Sequence, residues 1–318
     1  MNNLCDAPPL DHFEIPDCPS CGERSADPFI SAEDDLGGRP GEFRFVRCSA
    51  CELVYQSPRL RSEHIGSYYD DEYIAHRKKA DWGVLTPLYN WAMGKHDRDK
   101  LALVQRFHSL DHDSRVLDIG CGAGTFLAKV AADTGAKVCG VDFKDLSKLP
   151  WMSAVDFRLG TLAQQDFGQD RFDLITMWHF LEHDYTPQDT LARARDLLAS
   201  DGRLVIEVPR LDSLTFHLYG NRWPGLQAPQ HTILFDAQTL PRMVEKSGLR
   251  IVRHLAYGAF PAYFYLFCGA AFKLLRGRGL DLSKAVYPYF TGQLLLAPLL
   301  LFERRLNLAM QTVVCQKT

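Results

Sequence analysis

The stretch VLDIGCGAGTF, residues 116–126, constrains this chain more than any other. A short apolar run, Val116 to Ile119, meets glycines at alternate positions, Gly120, Gly122 and Gly124, and Thr125 then opens an amphipathic segment. Glycines at this spacing let the backbone turn sharply and approach a ligand with no Cβ in the way. The pattern is that of a strand, a tight loop and the start of a helix. A dinucleotide fingerprint would need its third glycine one place later, where Thr125 stands. A second apolar run, AKVCGVDF, ends in Asp142, and a carboxylate at that point can accept hydrogen bonds from both hydroxyls of a bound ribose. Asp118, just before the loop, adds a second acid to this edge.

Downstream, strand-like and helix-like segments alternate. AVDFRLG, FDLITMW, GRLVIEVP and LRIVRHLAY have the length and composition of strands, and LNLAMQTVVCQKT closes the chain as a last one. TPQDTLARARDLLAS and DAQTLPRMVEKSG carry helical spacing, as does HDRDKLALVQRFHSL ahead of the loop. Such alternation implies an α/β fold with a parallel sheet covered by helices on both faces.

VLDIGCGAGTF, GVDF, FDLITMWHFLEH and GRLVIEVP, in this order and spacing, resemble the class I S-adenosylmethionine-dependent methyltransferases over residues 96–318. The resemblance implies a Rossmann-like seven-stranded sheet with the last strand antiparallel. It implies that Gly120, Cys121, Gly122 and Gly124 embrace the methionine part of S-adenosylmethionine and that Asp142 holds its ribose. Asp118, Phe143, Thr161 and Trp178 complete the expected cofactor edge, with Thr161 standing where many members have an acid.

Nine cysteines in a chain without an evident export signal argue against a disulfide framework and place the protein in the cytoplasm. Four of them form two C-x-x-C pairs, Cys18 with Cys21 and Cys48 with Cys51, the pattern of a closed tetrahedral zinc site. The expectation is a structural Zn2+ in an N-terminal zinc ribbon over residues 1–60, followed by a connector or cap over 61–95. The cysteine pattern with VRCSACELVYQSPR resembles modules fused to some methyltransferases, sugar C-methyltransferases among them.

In MWHFLEHDY, His179, Glu182 and His183 form H-x-x-E-H, a zinc-peptidase spacing when it lies on a helix. Here a strand precedes it and Pro187 follows, so the segment belongs at the carboxyl end of the fourth strand, where open α/β sheets bind ligands. It resembles the E-x-x-E-H segment of ubiquinone-pathway O-methyltransferases, whose acidic and histidine side chains bind a divalent metal. Glu182 and His183 match that segment, and His179 replaces its first glutamate. Proton removal from an acceptor needs a base that titrates near neutrality, which makes His179, His183 and the loop residue His231 the catalytic candidates.

Residues 257–305 form an apolar insertion: neither 255–272 nor 285–302 carries a charge, and basic KLLRGRG lies between them. Pro261, Gly269, Pro288, Gly292 and Pro298 interrupt both runs and argue against a membrane span. Two helices over the site mouth are expected, packed internally or touching the inner face of a membrane as a peripheral contact. The acceptor is then a small, apolar or lipid-linked biosynthetic intermediate methylated on oxygen or carbon. A nucleotide-sugar C-methyltransferase and a non-catalytic binding protein for the cofactor and zinc are the alternatives. A net charge of −3 gives no general attraction to nucleic acid, which is not expected as a partner.

Overall fold

The computed structural model describes residues 7–69, 86–281, 285–300 and 302–318. The end of the expected connector, residues 70–85, and positions 282–284 and 301 of the insertion lie outside the described residues.

Strands β1 (Ala26–Ala32), β2 (Phe43–Cys48) and β3 (Val54–Gln56) form the cysteine module. Helix α1 (Thr86–Gln105) begins earlier than its apolar spacing indicates and leads to β4 (Arg115–Ile119), α2 (Thr125–Thr134), β5 (Lys137–Asp142), β6 (Asp156–Leu159) and β7 (Phe172–Trp178). There follow α3 (Pro187–Leu197), β8 (Leu198–Pro209), α4 (Leu214–Tyr219), β9 (Ile233–Leu234), α5 (Thr239–Lys246) and β10 (Leu249–Leu255). The insertion supplies α6 (Ala262–Leu275) and α7 (Val286–Leu300), and β11 (Met310–Lys317) ends the chain.

The main sheet has seven strands in the order β10-β11-β8-β7-β4-β5-β6. β8, β7, β4, β5 and β6 run parallel, and β11 inserts antiparallel to both β8 and β10. Val205, Ile206, Val313, Val314 and Cys315 are fully buried, as expected of central strands covered on both faces. α2 ends where Gly135 adopts φ 75°, a left-handed cap that only glycine takes without strain.

The module is not a separate bead. Its sheet has the order β9-β3-β2-β1, so the later part of the chain lends it the outer strand Ile233–Leu234, paired with Tyr55 and Val54. Cys18, Cys48, Leu53 and Tyr55 share one apolar core with Leu181, Ile233 and Phe235. The Tyr185 hydroxyl donates to the Leu60 carbonyl at 2.8 Å, and the Arg59 guanidinium lies 4.4 Å from the Tyr185 ring centroid.

Candidate active site

The loop after β4 follows from its glycines. Gly120, Gly122 and Gly124 have φ of 75°, 51° and 68°. A Cβ on Gly120 would stand 2.5 Å from the Phe180 ring, and one on Gly124 would stand 2.1 Å from the Met152 sulfur. Asp142, at the end of β5, accepts the Gly122 N–H at 2.8 Å and the Lys144 N–H at 3.0 Å, which fixes its carboxylate against the loop. Burial pushes that carboxyl above its ordinary value, and these N–H groups oppose the shift.

The other expected cofactor residues divide into two groups. Asp118 is turned into the sheet, 3% exposed, and accepts the Thr176 hydroxyl at 2.6 Å. Burial raises it to about 7, against the pull of Lys100. Cys121 is buried beneath the loop, and its sulfur would be 2.7 Å from a Cβ on Gly140. Trp178 is buried with its ring edge-on to Phe126, and its Nε1 has no hydrogen-bond partner among the described residues. Phe143 is 53% exposed and meets the Tyr69 ring edge-on at 5.1 Å. Thr161 is exposed, and its N–H donates to Gln164 Oε1.

Two charged residues of α1 also belong to this edge, although their helical spacing gives no sign of it. The Lys100 ammonium lies 5.2 Å from the Trp178 ring centroid and 5.7 Å from that of Phe126. Asp97 is buried, with its carboxyl hydrogen-bonded to Thr125 at the start of α2.

Beyond β7 the H-x-x-E-H segment forms a short 3-10 turn, Leu181–His183, and not the α-helix a peptidase site requires. His179 has φ 55°, an uncommon conformation for a side-chain-bearing residue, and its N–H donates to the Glu207 carbonyl at 2.9 Å. Its ring sits between two buried carboxylates: Nδ1 is 3.5 Å from Glu182 and Nε2 is 3.3 Å from Glu207. Burial disfavours the imidazolium, but contact with both acids outweighs it and holds the pKa up at about 9. Contact with the two carboxylates thus favours the protonated form of His179. Glu207, on β8, also accepts the Ala259 and Phe260 N–H groups at 2.6 and 3.0 Å. Burial opposes its ionisation, yet His179 and these N–H groups bring it down to about 2.

Glu182, His183 and His231 converge, with one donor atom of each within 4.8 Å of the others. His183 Nδ1 meets the Gln230 carbonyl at 2.9 Å and the Tyr69 hydroxyl at 2.9 Å. His231 Nδ1 meets the Gly225 carbonyl at 2.8 Å. A carbonyl only accepts, so both rings carry their proton on Nδ1 and keep the Nε2 lone pair. Burial lowers the pKa of both, that of His231 to about 3. Both Glu182 oxygens are buried, and Oε1 has His179 Nδ1 3.5 Å away and His231 Nε2 4.0 Å away. A carboxylate beside two imidazoles, each tied back through its other nitrogen to a carbonyl, is a donor set that fits a divalent cation.

The cysteine module reaches this cluster directly. Gln56 is fully buried, and its side-chain amide donates to the carbonyls of His231 at 2.9 Å and Pro229 at 3.3 Å. Its own N–H donates to the Thr232 carbonyl at 2.8 Å. Cys18, Cys21, Cys48 and Cys51 converge on one point, with Cys18–Cys51 and Cys21–Cys48 sulfur separations of 3.5 Å. Zn–S bonds of about 2.3 Å in a tetrahedron place sulfurs about 3.8 Å apart, so the four thiols fit that ion.

A parallel sheet closed by one antiparallel strand, with a glycine loop after its first strand and a carboxylate after its second, is the architecture of the Rossmann-like methyltransferases. The chain belongs to that family: the profile described as "Methyltransferase domain" matches residues 93–254. A curated relative, the ubiquinone biosynthesis O-methyltransferase of Nitrosococcus oceani, is 32% identical over 147 residues, covering 42% of this chain and 57% of that protein. An uncharacterized 37.1 kDa protein in transposon TN4556 of Streptomyces fradiae is 33% identical over 108 residues, 31% of either chain. The chain thus spans less than two thirds of the length of these relatives. Among solved structures, coclaurine N-methyltransferase bound to N-methylheliamine and SAH aligns with TM-score 0.46 and 17% identity over 70% of each chain.

Proposed function

We propose that this chain transfers the methyl group of S-adenosylmethionine to an oxygen of a small, apolar acceptor. The observation that carries this reading is the pair of neutral histidines, His183 and His231, converging on Glu182 at the sheet end that also bears the glycine loop. Held by the Gly120–Gly124 loop and Asp142, S-adenosylmethionine supplies a methyl on a positively charged sulfur, which departs as a neutral thioether. The chain's own residues must align the acceptor oxygen and take its proton. His183 suits proton removal, since it is half-buried and unprotonated at neutral pH, and its Nδ1–H bond to Gln230 leaves Nε2 to accept. His179 keeps its proton and orients Glu182 and Glu207.

The aromatic side chain of Phe260, 4.8 Å from His179 between ring centroids, and the apolar helices that follow it support an apolar acceptor. The curated relatives named as O-methyltransferases support oxygen over carbon.

A second reading is favoured by the convergence of the Glu182 carboxylate with two imidazoles. Glu182, His183 and His231 would hold a divalent cation, which would acidify an acceptor hydroxyl at that point. The four cysteines would hold a structural zinc with no open position. Methyl-labelled S-adenosylmethionine, offered with prenylated phenols, catechols and nucleotide sugars, tests the function. The expected product is an O-methylated apolar phenol. A C-methylated nucleotide sugar would replace this reading, and cofactor binding without turnover would make the chain a binding protein. Metal analysis separates the two roles of His183: a second divalent ion, lost in His231→Ala, establishes the metal reading.

A further inference from the structure

Helix α7 carries no charged residue on either side. Its inner side packs antiparallel on α6, through Tyr289 against Tyr263 and Phe267 with ring centroids 5.0 and 5.3 Å apart. At Gly292 the helix comes so close that a Cβ would stand 2.1 Å from the Tyr263 hydroxyl. The opposite side is the one that faces solvent, and in a surface helix it would be charged or polar. Here Tyr287, Leu294, Leu295 and Pro298 fall at helical spacing along it, with Leu294 77% and Leu295 75% exposed. No charged residue occurs anywhere between Ala285 and Phe302, and Phe302 itself is 54% exposed. Contiguous apolar surface of this kind marks an interaction site.

The charge around it identifies the partner. The α6–α7 hairpin has exposed basic residues at both ends: Arg276 and Arg278 follow α6, whose last turn carries the 83%-exposed Leu274, and Arg304 and Arg305 follow α7. The ends are brought into position by the packing, since the Ala262 N–H at the start of α6 donates to Glu303 Oε1 at 3.1 Å. That contact turns the acid beside Arg304 and Arg305 inward. None of these four arginines forms an ion pair among the described residues, in a chain whose overall charge is −3. An apolar bar bracketed by such cations matches a bilayer interface with anionic headgroups, where the leucines enter the acyl boundary and the cations meet phosphate. Among the described residues no helix is long and apolar enough to span a membrane.

We propose that the α6–α7 hairpin docks on an anionic phospholipid surface, with Leu294 and Leu295 inserted and the flanking arginines on headgroups. The root of the hairpin is held in the candidate active site, where Glu207 fixes the Ala259 and Phe260 N–H groups and Phe260 packs on His179. The surface therefore feeds that site, and the proposal deepens the apolar-acceptor reading, on which it rests, by assigning the acceptor to the lipid phase.

Flotation of the purified full chain with vesicles tests it, using phosphatidylcholine alone and phosphatidylcholine with about a third phosphatidylglycerol. The full chain is expected to float with the anionic vesicles and to bind at least about tenfold more weakly to neutral ones or in high salt. Leu294→Glu with Leu295→Glu should abolish flotation, and Arg304→Gln with Arg305→Gln should weaken it several-fold. Both double variants should retain S-adenosylhomocysteine binding, which shows that they fold. Absence of binding to either vesicle, or binding indifferent to both variants, overturns the proposal. So does a dimer in sedimentation that Leu294→Glu with Leu295→Glu breaks without any vesicle binding, because a second copy would then cover the face. Failure of methyl transfer with intact vesicle binding would count against the function alone.

Discussion

His179 Nε2 and Glu207 Oε1 lie 3.3 Å apart, joining the residue after β7 to the carboxyl end of the neighbouring strand β8. Through the same carboxylate Glu207 holds the first residues of the apolar insertion. One buried acid thus sets the charge of the crevice and the position of its apolar wall.

Glu207→Gln should leave His179 with a single acidic neighbour and lower its pKa from about 9. Because the folded value of His179 is raised from 6.5, its contribution is complete below pH 6.5 and fades as pH rises through about 9. Glu207 is depressed from 4.5 to about 2, so its contribution is complete above 4.5 and fades as pH falls through about 2. Urea unfolding should therefore show a plateau between about pH 4.5 and 6.5 in the wild type. The variant should lose on the order of 3 kcal/mol there and have a flatter alkaline limb.

Gln56→Ala should act on the acceptor side and spare the cofactor. It removes the amide that holds the His231 and Pro229 carbonyls, at an expected cost of about 1–3 kcal/mol for carbonyls left unpaired. Methyl transfer should fall at least about tenfold through a displaced His231 loop, while the dissociation constant for S-adenosylhomocysteine, measured by calorimetry, changes less than about twofold.

Gly120→Ala should have the opposite effect. The new methyl meets the Phe180 ring and a φ of 75°, so loop and ring must shift together. Calorimetry should show cofactor-product binding weakened by at least about tenfold, with a destabilisation of about 1–3 kcal/mol.

Cys51→Ser should lower the zinc content found by elemental analysis by one ion per chain, as the proposed four-cysteine site requires. Since β3 begins at Val54 and pairs with Ile233–Leu234, the loss should spread to the His231 loop. Amide exchange at Thr232–Leu234 should quicken, whereas exchange in the β4–α2 loop should hardly change.

The elements around the cofactor edge were legible because each is local: strand, glycine loop and terminal acid lie within a few residues, and the antiparallel last strand was implied by the family resemblance. The same locality placed Cys18, Cys21, Cys48 and Cys51 together. Glu207, Gln56, Tyr69 and Lys100 were not legible. Each acts on a partner distant in sequence, and a glutamate inside VIEVP carries no sign that three elements meet on it. Strand β9 was missed for the same reason, being two residues that pair only because β3 is there to receive them. His179 was found but its charge was not, since its pKa is set by two carboxylates of which one, Glu207, is far away in the chain.

The most direct test of the central claim is transfer of label from methyl-tritiated S-adenosylmethionine into an extract of cellular lipids and small metabolites. The wild type should place label in the organic-soluble fraction, and Asp142→Ala and His183→Ala should each reduce it by about a hundredfold or more. Folded protein that binds S-adenosylhomocysteine yet labels nothing in either fraction would contradict the claim of methyl transfer.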